Sequence, residues 1–105
     1  MKFRVKVLPR AQQDIAEIYD FIANVQCQPL VAARWVDGIQ AAIDSLATRP
    51  RRGKVVPEQA LLGSDVELHQ ILFHHHRIIY TVEPGLVQVV HIRRGSRRGL
   101  ARGDA

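Results

Sequence analysis

The chain has few of the residues that stabilise proteins outside the cell or hold them in a membrane. Cys27 is the only cysteine among 105 residues, so no intramolecular disulfide can form and a cytoplasmic location is expected. No apolar run reaches the roughly 18 residues that a membrane helix needs. Residues 1–6 alternate charged and apolar side chains, whereas a signal peptide needs a continuous apolar stretch. We therefore expect no disulfide, membrane span or signal peptide.

Three consecutive histidines are the one cluster that suggests a metal site, but their arrangement does not favour it. His74, His75 and His76 are consecutive, and on a strand or tight turn alternate side chains point in opposite directions, so they cannot all face one ion. No cysteine lies at a zinc-like spacing from them. We interpret the three histidines as the solvated tip of a hairpin. We expect no metal site and no cofactor.

Basic residues are plentiful and unevenly placed. Fifteen Lys and Arg against ten Asp and Glu give a net charge of +5. Five arginines follow residue 92: Arg93, Arg94, Arg97, Arg98 and Arg102. Such a distribution favours an acidic partner, which could be nucleic acid, an acidic protein segment or an anionic surface. The alternative is a basic tail that is merely solvated.

A first helix is predicted from Pro9, which suits the first helical position because its missing N–H costs nothing there. Apolar residues follow at steps of three and four: Ala11, Ile15, Ile18, Tyr19 and Ile22. Acidic residues occupy the opposite side: Asp14, Glu17 and Asp20. Residues 24–29 then predict a turn, after which Pro29 can open a second helix.

The second helix, at about residues 30–49, has the clearest periodicity. Its apolar stripe comprises Ala32, Trp35, Val36, Ile39, Ala42, Ile43 and Leu46. This stripe indicates that Trp35 belongs to the core. We interpret Gly38 as a site of close helix–helix contact. Pro50 ends the helix, because the residue before a proline resists the helical conformation.

Period-two alternation predicts a strand at residues 2–8, and further strands are expected at residues 66–73, 76–83 and 86–93. Residues 83–86, EPGL, predict a type II turn between the last two strands. Residues 51–65 are interpreted as a loop. The fold class is therefore α+β: an N-terminal strand, then an antiparallel two-helix hairpin packed on a curved, mostly antiparallel sheet of three to four strands. One domain is expected over residues 1–98, with a flexible basic tail at 99–105.

Several motifs resemble the RelE/ParE toxin superfamily of plasmid-stabilisation type. They are residues 76–82, HRIIYTV; residues 89–95, VVHIRRG; the helix exit at 46–50; and the first-helix positions Ala11, Asp14, Ile15, Ile18 and Tyr19. The resemblance spans about residues 3–98. It implies a helical hairpin on a curved antiparallel sheet, which is the fold that periodicity predicts independently.

The resemblance also implies a toxin that causes growth arrest and is neutralised by a cognate antitoxin in a hetero-oligomer. RelE-type members cleave mRNA on the ribosome, whereas ParE-type members bind DNA gyrase and trap its cleaved DNA. This chain has no tyrosine or histidine after His91, where the ribonucleases generally place one, and Arg94 stands where ParE-type members commonly have histidine. Its long second helix favours the ParE type. A gyrase inhibitor is therefore preferred over a metal-independent endoribonuclease.

Candidate site residues differ between these two activities. For a ribonuclease they are Arg77, His91 and Arg94, because arginine matches phosphate oxygens and histidine exchanges protons near neutral pH. Alternatively, Arg77 is a solvent-facing strand residue and His91 an ordinary, partly buried histidine. For contact with a target or nucleic acid, the candidates are the five arginines after residue 92.

Overall fold

The computed structural model describes residues 2–57, 59 and 66–95. Within residues 2–57, the α-helices are α1 (Pro9–Asp20) and α2 (Pro29–Asp44). The strands are β1 (Arg4–Val7), β2 (Lys54–Val55), β3 (Leu68–Phe73), β4 (His76–Glu83) and β5 (Leu86–Arg94). No helix in these ranges is long and apolar enough to cross a bilayer.

The helices form the predicted hairpin, with differences at the connections. Each begins with proline, as expected. Beyond α1 the chain continues as a π-helical turn, Phe21–Val25, and reverses at Cys27, whose φ is 56°. A 3₁₀ turn, Ser45–Ala47, follows α2, so the α-helix ends earlier than residue 49. The chain therefore reverses direction within the predicted turn at residues 24–29, but residues 24 and 25 are still helical.

The sheet has five strands in the order β1-β5-β4-β3-β2. β1 runs parallel to β5, and the other neighbours are antiparallel, which confirms the predicted α+β architecture. β2 lies where a loop was predicted, because a strand of two residues has no alternation for the sequence to reveal. Gly85 has a φ of 72°, as the third position of a type II turn requires.

The core lies between the hairpin and one face of the sheet. It contains the predicted stripe of α2, including Trp35, together with buried residues of β4 and β5 such as Ile78, Tyr80 and Val89. α1 differs from prediction: Asp14 is buried, whereas Tyr19 is 39% exposed. The interpretation of Gly38 was also wrong. A Cβ there would lie 2.4 Å from Phe73 Cζ, so this glycine admits a ring from β3 rather than another helix.

A register shift in β5 changes which of its side chains project to each face of the sheet. Directly opposed residues on neighbouring strands project to the same side. Tyr80 opposes Val89, but Ile79 opposes His91, so Val90 is an additional residue in β5. As a result, Ile92 joins Ile78 on the helix face, which is the side covered by the hairpin. Residues projecting from the other side of the sheet form the outer face.

Candidate functional site

The outer face carries most of the basic side chains of the described strands. Arg93 opposes Arg77, so these two arginines share that face. Lys54 opposes Gln70, which opposes Ile79, and Lys6 opposes Gln88, which opposes Thr81. Ile79 and Thr81 project to the same side of β4 as Arg77, so Lys54 and Lys6 also lie on the outer face. We call the set the basic face: Arg4, Lys6, Lys54, Arg77 and Arg93. It is a cationic surface built by strands that are distant in sequence.

Arg77 lies on the central strand of this face, near the β3–β4 turn, and is only 4% exposed. Its Nε donates a hydrogen bond to Gln70 Oε1 at 2.8 Å. The alternative that Arg77 is a solvent-facing strand residue is therefore wrong. The neighbouring Arg93 is exposed, so the pair combines one guanidinium held in the sheet with one open to a partner.

Asp14 fastens α1 to β5 at the point where β1 ends. β1 pairs with β5 only as far as Val89. Beyond it, Asp14 Oδ2 accepts the Ile92 N–H at 2.9 Å and contacts His91 Nδ1. Arg10 Nε donates to Asp14 Oδ1 at 3.1 Å. Burial alone would raise the pKa of Asp14, but the hydrogen bonds from Ile92, His91 and Arg10 outweigh it and hold this pKa below 3.8.

The carboxylate of Asp14 also fixes the ring of His91, because a partner on one imidazole nitrogen sets the orientation of the other. This role was not predicted, because the acidic residues of α1 were expected on its polar side. One signal was available, since Asp14 lies three residues after Ala11 and four before Ile18, which is the spacing of the buried face.

The three ribonuclease candidates do not share one surface. His91 opposes Ile79 and lies two residues before Arg93, beside the Arg77–Arg93 pair. Arg94 instead opposes His76, on the helix face. Of the predicted arginine cluster, Arg93 and Arg94 are described and project to opposite sides, whereas Arg97, Arg98 and Arg102 lie outside the described residues.

Arg94 belongs to an open, mostly apolar groove of about 690 Å³ on the helix side. The groove lies between the end of α1, the π-helical turn, the first half of α2 and the β3–β4 turn. Its lining residues define what we call the helix-side groove: Glu17, Ile18, Phe21, Ile22, Gln26, Val31, Arg34, Trp35, His74, His75, His76 and Arg94. Phe21 is 47% and Val31 45% exposed, so the groove lining presents large apolar side chains to solvent.

Two aromatic rings in the groove lining have unsatisfied nitrogens. Trp35 and His76 pack edge to face with centroids 5.2 Å apart. Trp35 Nε1 and His76 Nδ1 are both buried and have no hydrogen-bond partner in the described structure. Burial, followed by the charge of Arg94, lowers the pKa of His76 below 6.5, so the ring is neutral at pH 7.

The β3–β4 turn confirms the predicted hairpin tip for His74 and His75, which are exposed. His76 departs from that prediction because it is buried in β4 against Trp35. Among the described residues, no group of three His, Cys, Asp or Glu side chains is placed to hold a metal ion.

Comparisons with known proteins agree with this architecture. The chain matches the family model for the ParE toxin of the type II toxin–antitoxin system parDE over residues 5–99. It is 34% identical to Toxin RelE2 of Caulobacter vibrioides over 88 residues, covering 84% of this chain and 90% of that protein.

Solved structures of low sequence identity share the fold. The chromosomal ParDE system of P. aeruginosa superposes with a TM-score of 0.72 at 20% identity, covering 90% of this chain and 98% of that one. The toxin–antitoxin complex RelBE2 of Mycobacterium tuberculosis gives a TM-score of 0.59 at 14% identity, covering 90% and 99%. Because the family match spans nearly all of the strands, helices and site residues described above, the chain belongs to the ParE toxin family, within the RelE/ParE superfamily of type II toxin–antitoxin systems.

Proposed function

We propose that this toxin acts in the cytoplasm by binding and inhibiting DNA gyrase, and that a cognate antitoxin neutralises it in a hetero-oligomer. The observation that carries the choice of gyrase is the composition of the basic face. Its cations are spread over four strands, with Arg77 and Arg93 directly paired, whereas groups that exchange protons are scarce beside that pair in the described residues. Such a surface suits binding of an acidic or nucleic-acid partner.

A metal-independent ribonuclease needs a base, an acid and a stabiliser of the phosphorane. The arginines of the basic face could stabilise the phosphorane. Neither tyrosine lies beside them: the Tyr80 hydroxyl accepts the Gly53 N–H at 3.1 Å, and Tyr19 lies on α1. His91 is the one proton-exchanging side chain of the described strands near Arg93, and its Nδ1 is already held by Asp14. This composition supports a binding toxin.

The second candidate is a RelE-like, ribosome-dependent endoribonuclease. Two observations favour it: the similarity to a protein named Toxin RelE2, and the placement of His91 beside the Arg77–Arg93 pair. In this alternative, His91 exchanges protons while the arginines bind the scissile phosphate. Arg77→Ala would then abolish mRNA cleavage.

An antitoxin is supported as partner by structural neighbours that are themselves toxin–antitoxin complexes. The helix-side groove is the surface that we assign to it. Its exposed Phe21 and Val31 offer apolar area, and Arg34 and Arg94 favour an acidic segment. A disordered antitoxin segment that folds on a preformed groove can cover a large area despite the entropy that ordering costs.

Purified toxin should be tested in parallel against gyrase and against translation. We expect inhibited supercoiling and accumulation of cleaved DNA with gyrase, and intact mRNA in a translating extract. Induction in cells should arrest growth, and co-expression of the antitoxin should restore it. Truncated mRNA without any effect on gyrase would reject the gyrase proposal in favour of the ribonuclease, and Arg77→Ala would then identify the site.

A further inference from the structure

We infer that the helix-side groove contains a carboxylate-binding site, formed by Trp35 Nε1, His76 Nδ1 and the guanidinium of Arg94, which takes an acidic side chain of an amphipathic partner helix. The inference rests on the proposed docking of the antitoxin in this groove and specifies its chemistry. Three buried side-chain nitrogens lack hydrogen-bond partners in the described residues, on Trp35, His69 and His76, and the first and last of these residues line the groove.

Buried polar atoms in folded proteins almost always have a hydrogen-bond partner, because leaving one unsatisfied costs about 1–3 kcal/mol. Trp35 and His76 are 7% and 8% exposed, and both nitrogens lack such a partner in the described structure. The two rings are in contact and both line the groove. His69 does not line the groove, whereas the rings of Trp35 and His76 are in contact there, so we attribute their two unsatisfied nitrogens to one shared ligand group.

The chemistry of the two rings restricts that group. The indole Nε1 can only donate, so the ligand atom must be an acceptor. A neutral His76 can donate from Nδ1 in one of its tautomers, and its lowered pKa favours the neutral ring. Carbonyl and carboxylate groups could both accept from the two rings.

Charge selects the carboxylate over the carbonyl. Arg94 opposes His76 across the β4–β5 ladder, and Arg34 lies one residue before Trp35 on α2. Both arginines line the groove, against one carboxylate, that of Glu17. Hydrogen bonds to a charged acceptor are about twice as strong as neutral ones. The apolar walls formed by Phe21, Ile22 and Val31 would bury the stem and the neighbouring residues of such a side chain.

The sole tryptophan makes this site directly observable in the intact chain. The ¹⁵N-labelled protein should give a single indole N–H resonance, belonging to Trp35. We would titrate it with 4-phenylbutanoate and with its neutral counterpart 4-phenylbutanamide, which has the same apolar body. The carboxylate should shift the indole proton downfield and bind about tenfold more tightly than the amide, as a charge-assisted hydrogen bond implies.

A matched pair of arginine variants separates local from general electrostatics. Arg94→Ala should reduce the affinity for the carboxylate to that for the amide. Arg49→Ala removes the same charge from an exposed position beyond the opposite end of α2 and should leave both affinities unchanged. A helical peptide with one central Glu between apolar residues should likewise lose about tenfold in affinity when that Glu becomes Gln.

Equal affinities for the acid and the amide would overturn the inference, because the groove would then be a purely apolar site. An indole resonance that neither compound moves would also overturn it, as would equal losses in Arg94→Ala and Arg49→Ala. These outcomes are independent of gyrase and of the antitoxin. Failure here therefore leaves the proposed function to be judged by its own assays.

Discussion

Arg93 and Arg94 are neighbours in sequence but belong to two surfaces with opposite properties. Arg93 lies on the basic face beside Arg77, whose Nε is already bonded to Gln70. Arg94 borders an apolar groove that contains two nitrogens without partners. The basic face presents charged side chains, one of which is held by a hydrogen bond within the sheet. The helix-side groove presents apolar surface and two nitrogens that lack hydrogen-bond partners.

This contrast suggests a division of labour. A charged, open surface suits rapid encounter with a large target, because long-range attraction needs no close fit. A concave apolar surface with buried polar anchors suits a tightly bound segment, because specificity there comes from desolvated contacts. The basic face is accordingly assigned to the target and the helix-side groove to the antitoxin. Variants that affect one surface should spare the other.

The largest effect is expected at Asp14, on which both surfaces depend because it fastens α1 to β5. Asp14→Ala leaves the Ile92 N–H and His91 without their acceptor, and should lower the free energy of unfolding by about 3 kcal/mol. Urea denaturation measures this loss. Glu17→Ala, an exposed carboxylate one turn later, should change the stability by less than about 0.5 kcal/mol. Similar losses of stability in the two variants would show that Asp14 does not anchor α1 to β5.

Charge reversal at the two neighbouring arginines tests the division directly. Arg94→Glu should weaken antitoxin binding by about tenfold to a hundredfold, because it places like charge against an acidic segment. Arg93→Glu should leave antitoxin binding nearly unchanged and reduce the inhibition of gyrase. Isothermal titration and supercoiling assays on both variants give the comparison. If both substitutions affect the same partner equally, the two faces are one functional surface.

As the pH falls, the free energy of unfolding should decrease through His76 before it decreases through Asp14. The pKa of His76 in the folded state lies below the 6.5 expected in the unfolded chain, so the unfolded chain binds more protons as the pH falls below 6.5. The stability contribution of the neutral ring is therefore complete above 6.5 and declines below it. The low pKa of Asp14 acts only below 3.8. Urea titrations between about pH 7 and pH 5 should show this slope.

His76→Phe should flatten that slope, because it keeps an aromatic ring against Trp35 and removes the titrating group. His75→Gln, which removes an exposed histidine of the same turn, should retain most of it. A slope that survives in His76→Phe would assign the pH dependence to another group.

The smallest effect is expected for single cations of the basic face. If Arg93 contacts a phosphate of gyrase-bound DNA, Arg93→Ala should reduce the log–log slope of affinity against salt by about 1. Arg34→Ala, which removes an exposed charge from the helix-side groove, is the control and should leave the slope unchanged. An unchanged slope in Arg93→Ala would restrict the basic face to protein contacts.

Periodicity predicted the long elements well because packing on one apolar surface imposes it. The stripe from Ala32 to Leu46 gave α2 and its buried side, and Pro9 and Pro29 gave both helix starts. Periodicity failed where a polar residue is buried by hydrogen bonds, as at Asp14, and where a strand is too short to alternate, as in β2. Neither feature leaves a hydrophobic pattern.

Periodicity could not predict the two surfaces, because each is assembled from segments far apart in sequence. Trp35 was correctly placed in the core, but its contact with His76 spans about 40 residues and has no local signal. The basic residues of β1, β2 and β5 likewise become one face only when the strand order is known. Composition predicted an acidic partner without locating its surface.

By itself, the sequence determined that this is an α+β chain with a helical hairpin, strong basic charge and a toxin-family pattern. The tertiary structure decided which side each arginine occupies. Continued from Val87 and Val89, strict alternation would have put Arg93 on the helix face. The additional residue Val90 reverses the alternation, so Arg94 reaches the groove and Arg93 the basic face. A bulge is formed by pairing between strands, and for that reason only the assembled sheet could determine it.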